Sequence, residues 1–351
     1  VSLTKEVFHV HVSRYNSQER GRCTMSRIVA VVGTSHSPML GMEPERMWNL
    51  RAENDAAGEY DLYDRRGAVR TFEELVTAAD GRYDDELSLE TWNAKYDAAS
   101  ACVDRLRKDL IALEPDLLIV IGDDQEELFT ARNQPAIAVY HGEKIETHKP
   151  IEMGNALLSQ VQRNLGMDGE IYPAHPTAAL HIIEELISRD FDIASSSETE
   201  TEGGFGHAFA WVVGKMLKNV TIPMVPVLIN TYFPPNQPTP GRCYDLGRAL
   251  AGAVDSLPGD LRVAVVASGG LSHFVVDDEL DRRILDAMID HDEATLRALP
   301  VEQLNSGTSE VRNWIAAAGA AQDLDHRWSE YIPAWRSPAG TGIGLAFGLW
   351  T

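Results

Sequence analysis

The chain has 351 residues with 53 acidic and 31 basic side chains, a net charge of -22 that argues against nucleic acid or an anionic membrane as partner, since both need a basic face. Apolar residues make up 44% and charged residues 24%, an ordinary composition for a soluble globular protein, and no apolar run reaches the ~18 residues of a membrane helix. The three cysteines, Cys23, Cys102 and Cys243, are far apart without a CxxC, which excludes a disulfide framework and a thiolate zinc site and makes a reducing cytoplasm the expectation.

Residues 1–24 lack a long apolar core and read as a flexible N-terminal extension rather than a secretory signal. His9 and His11 in it form an HxH pair, which is more simply disorder or an edge strand than a metal site. Residues 25–351 are then expected to form one domain. The first strand is the apolar run 28–32, ended by Gly33 and Thr34, with His36 just beyond it. Open α/β sheets bind ligands at such strand ends, although a lone His there is more simply a turn residue bonded to a nearby carbonyl. Pro44 suits the first turn of a helix over 41–55. Stretches 60–64 and 65–69 read as solvated surface or a pocket mouth, 71–78 as a short helix, and 88–113 as a long amphipathic helix. A second strand, 116–121, runs into the turn Gly122-Asp123-Asp124-Gln125-Glu126-Glu127, where an Asp is either chemistry or a helix cap.

A strand over 136–140 and helices over 151–165 and 177–187 follow, with His175 and His181 as structural residues. The stretch 203–218 turns helical after His207. A third strand, 225–230, feeds a long Pro-rich loop, from which Tyr232, Phe233, Asn236 and Arg242 are candidates to face a ligand, before a helix around 246–254. Strand 262–267 ends in Ser268-Gly269-Gly270-Leu271-Ser272-His273, whose paired glycines allow a sharp bend beside a ligand. Helical sequence covers 277–299, and Glu310 opens a helix within 305–321, with Thr308 or Ser309 as its cap. A Gly-rich loop then leads to a last strand, 343–350. The alternation predicts an α/β fold with a single central, mostly parallel or mixed sheet flanked by helices on both faces.

Four stretches in this order, GTSHSPML, GDDQ, HAFAW with PVLINTYFPPNQP, and SGGLSH, resemble the class III extradiol ring-cleavage dioxygenases, of the type of the protocatechuate 4,5-dioxygenase catalytic subunit. The branch containing 3-O-methylgallate dioxygenase is the most similar, and the resemblance runs from about residue 27 to 350. It implies a non-haem Fe(II) held by two His and one Glu, with O2 as co-substrate and open positions for a catecholic acid. His36 matches the first metal His, Glu310 the metal Glu, His273 the catalytic His outside the metal shell, and His207 a pocket His that positions substrate. At the place of the second metal His this chain has Gln125, preceded by Asp124, so the Gln125 amide oxygen, Asp124, Asp123 or a water is the expected substitute. Tyr232 and Arg242 are the candidates for the substrate carboxylate. The implied partners are a small aromatic substrate and either a second copy of the chain or a small lid subunit, a cover that 51–85 and 234–240 can also supply from within. The competing readings are a non-oxidative, hydrolase-like metal enzyme on this scaffold and a metal-free binding protein.

Overall fold

A computed structural model describes residues 25–150, 156–199 and 204–351. The extension 1–24, with His9, His11 and Cys23, and the first five positions of the helix expected over 151–165 lie outside them; that helix is seen as Ala156–Asn164.

Nine strands form the main sheet: β1 (Arg27–Thr34), β2 (Leu117–Asp123), β3 (Ile137–Tyr140), β4 (Ala194–Ser196), β5 (Met224–Ile229), β6 (Arg262–Ser268), β7 (His273–Val275), β8 (His326–Trp335) and β9 (Thr341–Trp350). The order is β7-β9-β1-β6-β2-β5-β3-β4, with β8 paired to β9. β1, β6, β2 and β5 are mutually parallel, so their carboxyl ends lie on one side. β3 and β9 are antiparallel to their neighbours β5 and β1, which makes the sheet mixed, as expected.

The continuous apolar runs follow from burial on both faces. Leu117, Ile119 and Ile121 of β2 pack with Val263, Val265 and the helices Pro176–Ser188, Pro240–Asp255, Asp278–Ile289 and Val311–Ala320. Leu118 and Val120 point the other way, among Ala264, Val266 and the helix Leu89–Ala112. Each such side chain contributes roughly 1.5–3 kcal/mol on burial.

Three local expectations needed correction. The chain from 326 to 335, read in part as loop, is strand β8; it is a half-exposed outer strand, where Pro333 is tolerated because no ladder partner needs its missing N–H. The Pro-rich loop is shorter than expected, because Thr239 caps a helix that already starts at Pro240, placing Arg242 in its first turn. Neither Thr308 nor Ser309 caps the helix after Glu310; residues Ser306–Glu310 form a 3-10 turn, and Thr308 Oγ1 instead accepts from the His273 amide at 2.8 Å.

The helix Pro44–Ala56 is fastened to the β8–β9 turn by a buried ion pair. Arg336 donates to both carboxylate oxygens of Asp55, at 2.7 and 2.9 Å, and Thr341 Oγ1 donates to the same carboxylate at 2.6 Å. Arg336→Met strands that carboxylate in the interior and is expected to cost about 3–5 kcal/mol. A lower urea midpoint with an unchanged slope would show this, whereas a loss below about 1 kcal/mol would mean that water reaches Asp55.

Candidate active site

The parallel strands deliver their side chains to one place. His36 follows the end of β1, Asp123 ends β2, and Ser268 ends β6, three neighbouring strands. β1 and β7 share an edge of β9, with Thr34 opposite Phe347 and His273 opposite Ile343, which carries His273 to the same rim. Glu310 arrives from the 3-10 turn and His207 from the start of a short helix, His207–Trp211. Ligating atoms of His36, Asp123, His207 and Glu310 all lie within 4.8 Å of one another.

Hydrogen bonds orient each imidazole. Ser268 donates its hydroxyl to the Ala208 carbonyl at 2.6 Å, so it accepts from His36 Nδ1–H at 3.0 Å. His36 Nε2, buried and without a hydrogen-bond partner, lies 3.2 Å from Glu310 Oε2. His207 Nδ1 donates to Glu127 Oε1 at 3.0 Å, and its Nε2 faces Asp123 Oδ2 at 3.9 Å. A carboxylate behind a histidine in this way sets the ring orientation and raises the basicity of the far nitrogen. Gly206 makes the contact possible, because a Cβ there would stand 2.1 Å from Glu127 Oε1. His273 Nδ1 donates to the Leu271 carbonyl at 2.8 Å, leaving its Nε2 as an acceptor 3.9 Å from Glu310 Oε2. The ring lies flat against Gly270, where a Cβ would come within 2.4 Å of Cε1.

Charge sorts these groups. Burial pushes the Glu310 carboxyl up, but His36 and His273 beside it outweigh that and bring it to about 2. Asp123 is raised by burial and by the Glu310 charge. Burial lowers His207, yet Glu127, Asp123 and Glu310 together raise it to about 10, so a positive charge is held among three carboxylates. Burial lowers His273 below the usual imidazole value despite Glu310, so it is a neutral base near pH 7. Burial, then the charges of Glu310 and Asp123, hold the Tyr232 phenol well above its ordinary value, so it keeps its proton.

These features fit a divalent metal. A buried imidazole nitrogen without a hydrogen-bond partner beside a carboxylate oxygen is a place where both can share a cation, and a mixed imidazole and carboxylate donor set suits Fe(II) and its first-row neighbours. A cavity of about 430 Å³ adjoins the cluster, with His207 in its lining together with Gln125, Glu127, Tyr60, Phe274 and Arg51. Its size is that of a small-molecule site.

Of the residues singled out from sequence, His36, Glu310, His207 and His273 come together, with Tyr232 in the electrostatic reach of Glu310. Asp124 does not join them: its carboxylate accepts from the amides of Leu128 and Phe129, at 2.8 and 2.9 Å, and caps the turn. The neighbouring Asp123 takes the inward position because strand alternation sends the two side chains to opposite sides. Gln125 sits at the rim with its amide nitrogen on Asp123 Oδ2, at 3.0 Å, and so braces that carboxylate. Arg242 is remote, bonded to the Asp190 carbonyl and stacked on Phe191, because it belongs to the helix and not to the loop. Glu127, Arg51 and Tyr60 were not singled out individually from sequence; the GDDQEE run signalled the first, and the other two fall in the stretches 51–85 and 60–64, read as a candidate cover and pocket mouth.

Comparison with known proteins agrees with this geometry. Residues 90–341 match the family described as the catalytic LigB subunit of aromatic ring-opening dioxygenase. Gallate dioxygenase of Pseudomonas putida is 28% identical over 48% of this chain and 51% of its own length, so the chain spans about half of that relative. Two 2,3-dihydroxyphenylpropionate/2,3-dihydroxicinnamic acid 1,2-dioxygenases are also similar. The Rhodococcus protein is 25% identical over 67% of this chain and 69% of its own length, and the Comamonas testosteroni protein 24% over 87% and 73%.

Proposed function

Because the chain belongs to the family of catalytic LigB subunits of aromatic ring-opening dioxygenases, we propose that its site binds Fe(II) and opens the ring of a dihydroxylated aromatic acid beside its hydroxyl pair, with both atoms of O2 entering the product. In this reading His36, His207 and Glu310 hold the metal and Asp123 adds a carboxylate to the set. The observation that carries it is the buried, partnerless His36 Nε2 facing Glu310, with a neutral His273 just outside. A bound Fe(II) would supply the Lewis-acid and redox chemistry by which the diol reacts with O2.

The chain's own groups do the rest. His273 accepts a phenolic proton at Nε2 and returns it later, its ring held by Leu271 and Thr308. Tyr232, kept protonated, donates to an oxygen of the bound substrate. Glu127 and Gln125 orient His207 and Asp123. The aromatic wall of Tyr60 and Phe274, stacked at 4.4 Å, excludes water from the ring. The names of the similar enzymes, which act on gallate or on 2,3-dihydroxyphenylpropionate, and the cavity's size support a small dihydroxylated aromatic acid as substrate. Arg51 and Tyr60 give part of the cover that a lid subunit or a second copy of the chain would otherwise bring.

The test is oxygen uptake after anaerobic loading with Fe(II), using protocatechuate, gallate, 3-O-methylgallate and catechol. Uptake matched one to one by loss of aromatic absorbance is the expected result. Stoichiometric iron without any uptake across the panel would count against an oxidative role.

A further inference from the structure

We propose that Arg51 anchors the anionic group of the substrate and sets a preference for aromatic diols that carry a carboxylate over neutral diols. The inference rests on the reading of the site just given and adds the residue that selects the substrate class. The cavity is polarised. Its lining carries His207, a member of the cluster with His36, Asp123 and Glu310, and Glu127 bonded to it, the side that a metal-bound diol would occupy. Its lining also carries the Arg51 guanidinium, partly buried, whose polar contact is the Tyr60 hydroxyl at 2.7 Å.

Among the described residues Arg51 makes no ion pair with a carboxylate. The neighbouring cation, Arg336, has taken up Asp55 through two hydrogen bonds. A partly desolvated guanidinium bonded to one neutral phenol keeps most of its N–H donors for a ligand, and its planar fork matches a carboxylate. The position is fixed as well: the guanidinium carbon lies 4.9 Å from the Tyr60 ring centre and 5.8 Å from that of Phe274. Phe274 follows His273 directly, so the aromatic pair ties the cation to the segment carrying the proposed base. An aromatic ring between the two poles would present its diol to the metal end and its carboxylate to Arg51.

The experiment compares 3,4-dihydroxybenzoate with 3,4-dihydroxybenzamide on the Fe(II)-loaded enzyme, by kcat and KM in air and by calorimetric Kd without oxygen. Wild type should prefer the acid. Arg51→Gln should weaken binding of the acid by about 10–100-fold, mainly in KM and Kd, and alter the amide by less than about twofold. Arg51→Lys should recover part of the loss, and Tyr60→Phe, which frees the guanidinium, should give a smaller loss on the acid alone. Equal losses on both compounds, or none, would overturn the anchor while leaving the proposed activity in place, as would a wild type that takes the amide as well as the acid. A wild type that neither binds nor cleaves either compound would overturn the proposed activity and the anchor with it.

Discussion

Replacing His207 with alanine is expected to strip the protein of its metal and abolish turnover. From sequence this residue resembled a pocket histidine, with the second metal position falling at Gln125. As part of the proposal we place the second imidazole ligand at His207, whose ring centre is 4.5 Å from that of His36 and whose Nδ1 is committed to Glu127. Loss of an outer partner such as Glu127 typically costs ~10–100-fold in metal affinity. Loss of a direct ligand should exceed that, while Gln125→Ala should cost less than His207→Ala because its amide nitrogen braces Asp123 at 3.0 Å and His207 Nε2 at 3.4 Å from the rim. Metal content after gel filtration, measured by atomic emission for both variants, decides the matter. Full iron in His207→Ala with impaired turnover would return His207 to the role of positioning the substrate.

The His273→Ala variant should show the opposite pattern, with iron retained and kcat lower by about 10²–10⁴-fold, the usual worth of general acid–base help. The pH profile should carry the same signature. Burial holds the His273 pKa below its ordinary value of 6.5, so the base is neutral and competent at pH 7. As pH falls through that lowered pKa the ring gains a proton and the rate drops, giving an acid limb centred below 6.5. A positive metal nearby acts in the same direction. The alanine variant should lose this limb, and a profile unchanged by the substitution would assign the base to another group.

Most of the sheet was legible because its strands are buried on both faces and so are written as unbroken apolar runs, as in 117–121 and 263–267. β8 was missed for the converse reason: its outer edge is half exposed, and its alternation is blurred by Pro333 and Glu330. His36, Glu310 and His273 were legible through motifs that join a strand end or turn to a functional side chain. The choice between Asp123, Asp124 and Gln125 was not, since it depends on where one strand stops pairing and on the Leu128 and Phe129 amides that hold Asp124. Arg51 was out of reach for a similar reason. Its significance comes from Tyr60 and Phe274, one near in sequence and one distant, and from an ion pair that satisfies its neighbour.

The four donors of the cluster come from four widely separated parts of the chain: the ends of β1 and β2, the helix beginning at His207, and the turn at Glu310. An ion held there is a cross-link that only the folded chain can form. Occupancy and folding are therefore one linked equilibrium, in which free metal at a thousand times its Kd adds about 4 kcal/mol to the native state. Without that ion the fold must hold Asp123, Glu127 and Glu310 together around one imidazolium. A chelator thus acts on this protein as a denaturant in small measure, and metal supply becomes a determinant of how long the chain survives.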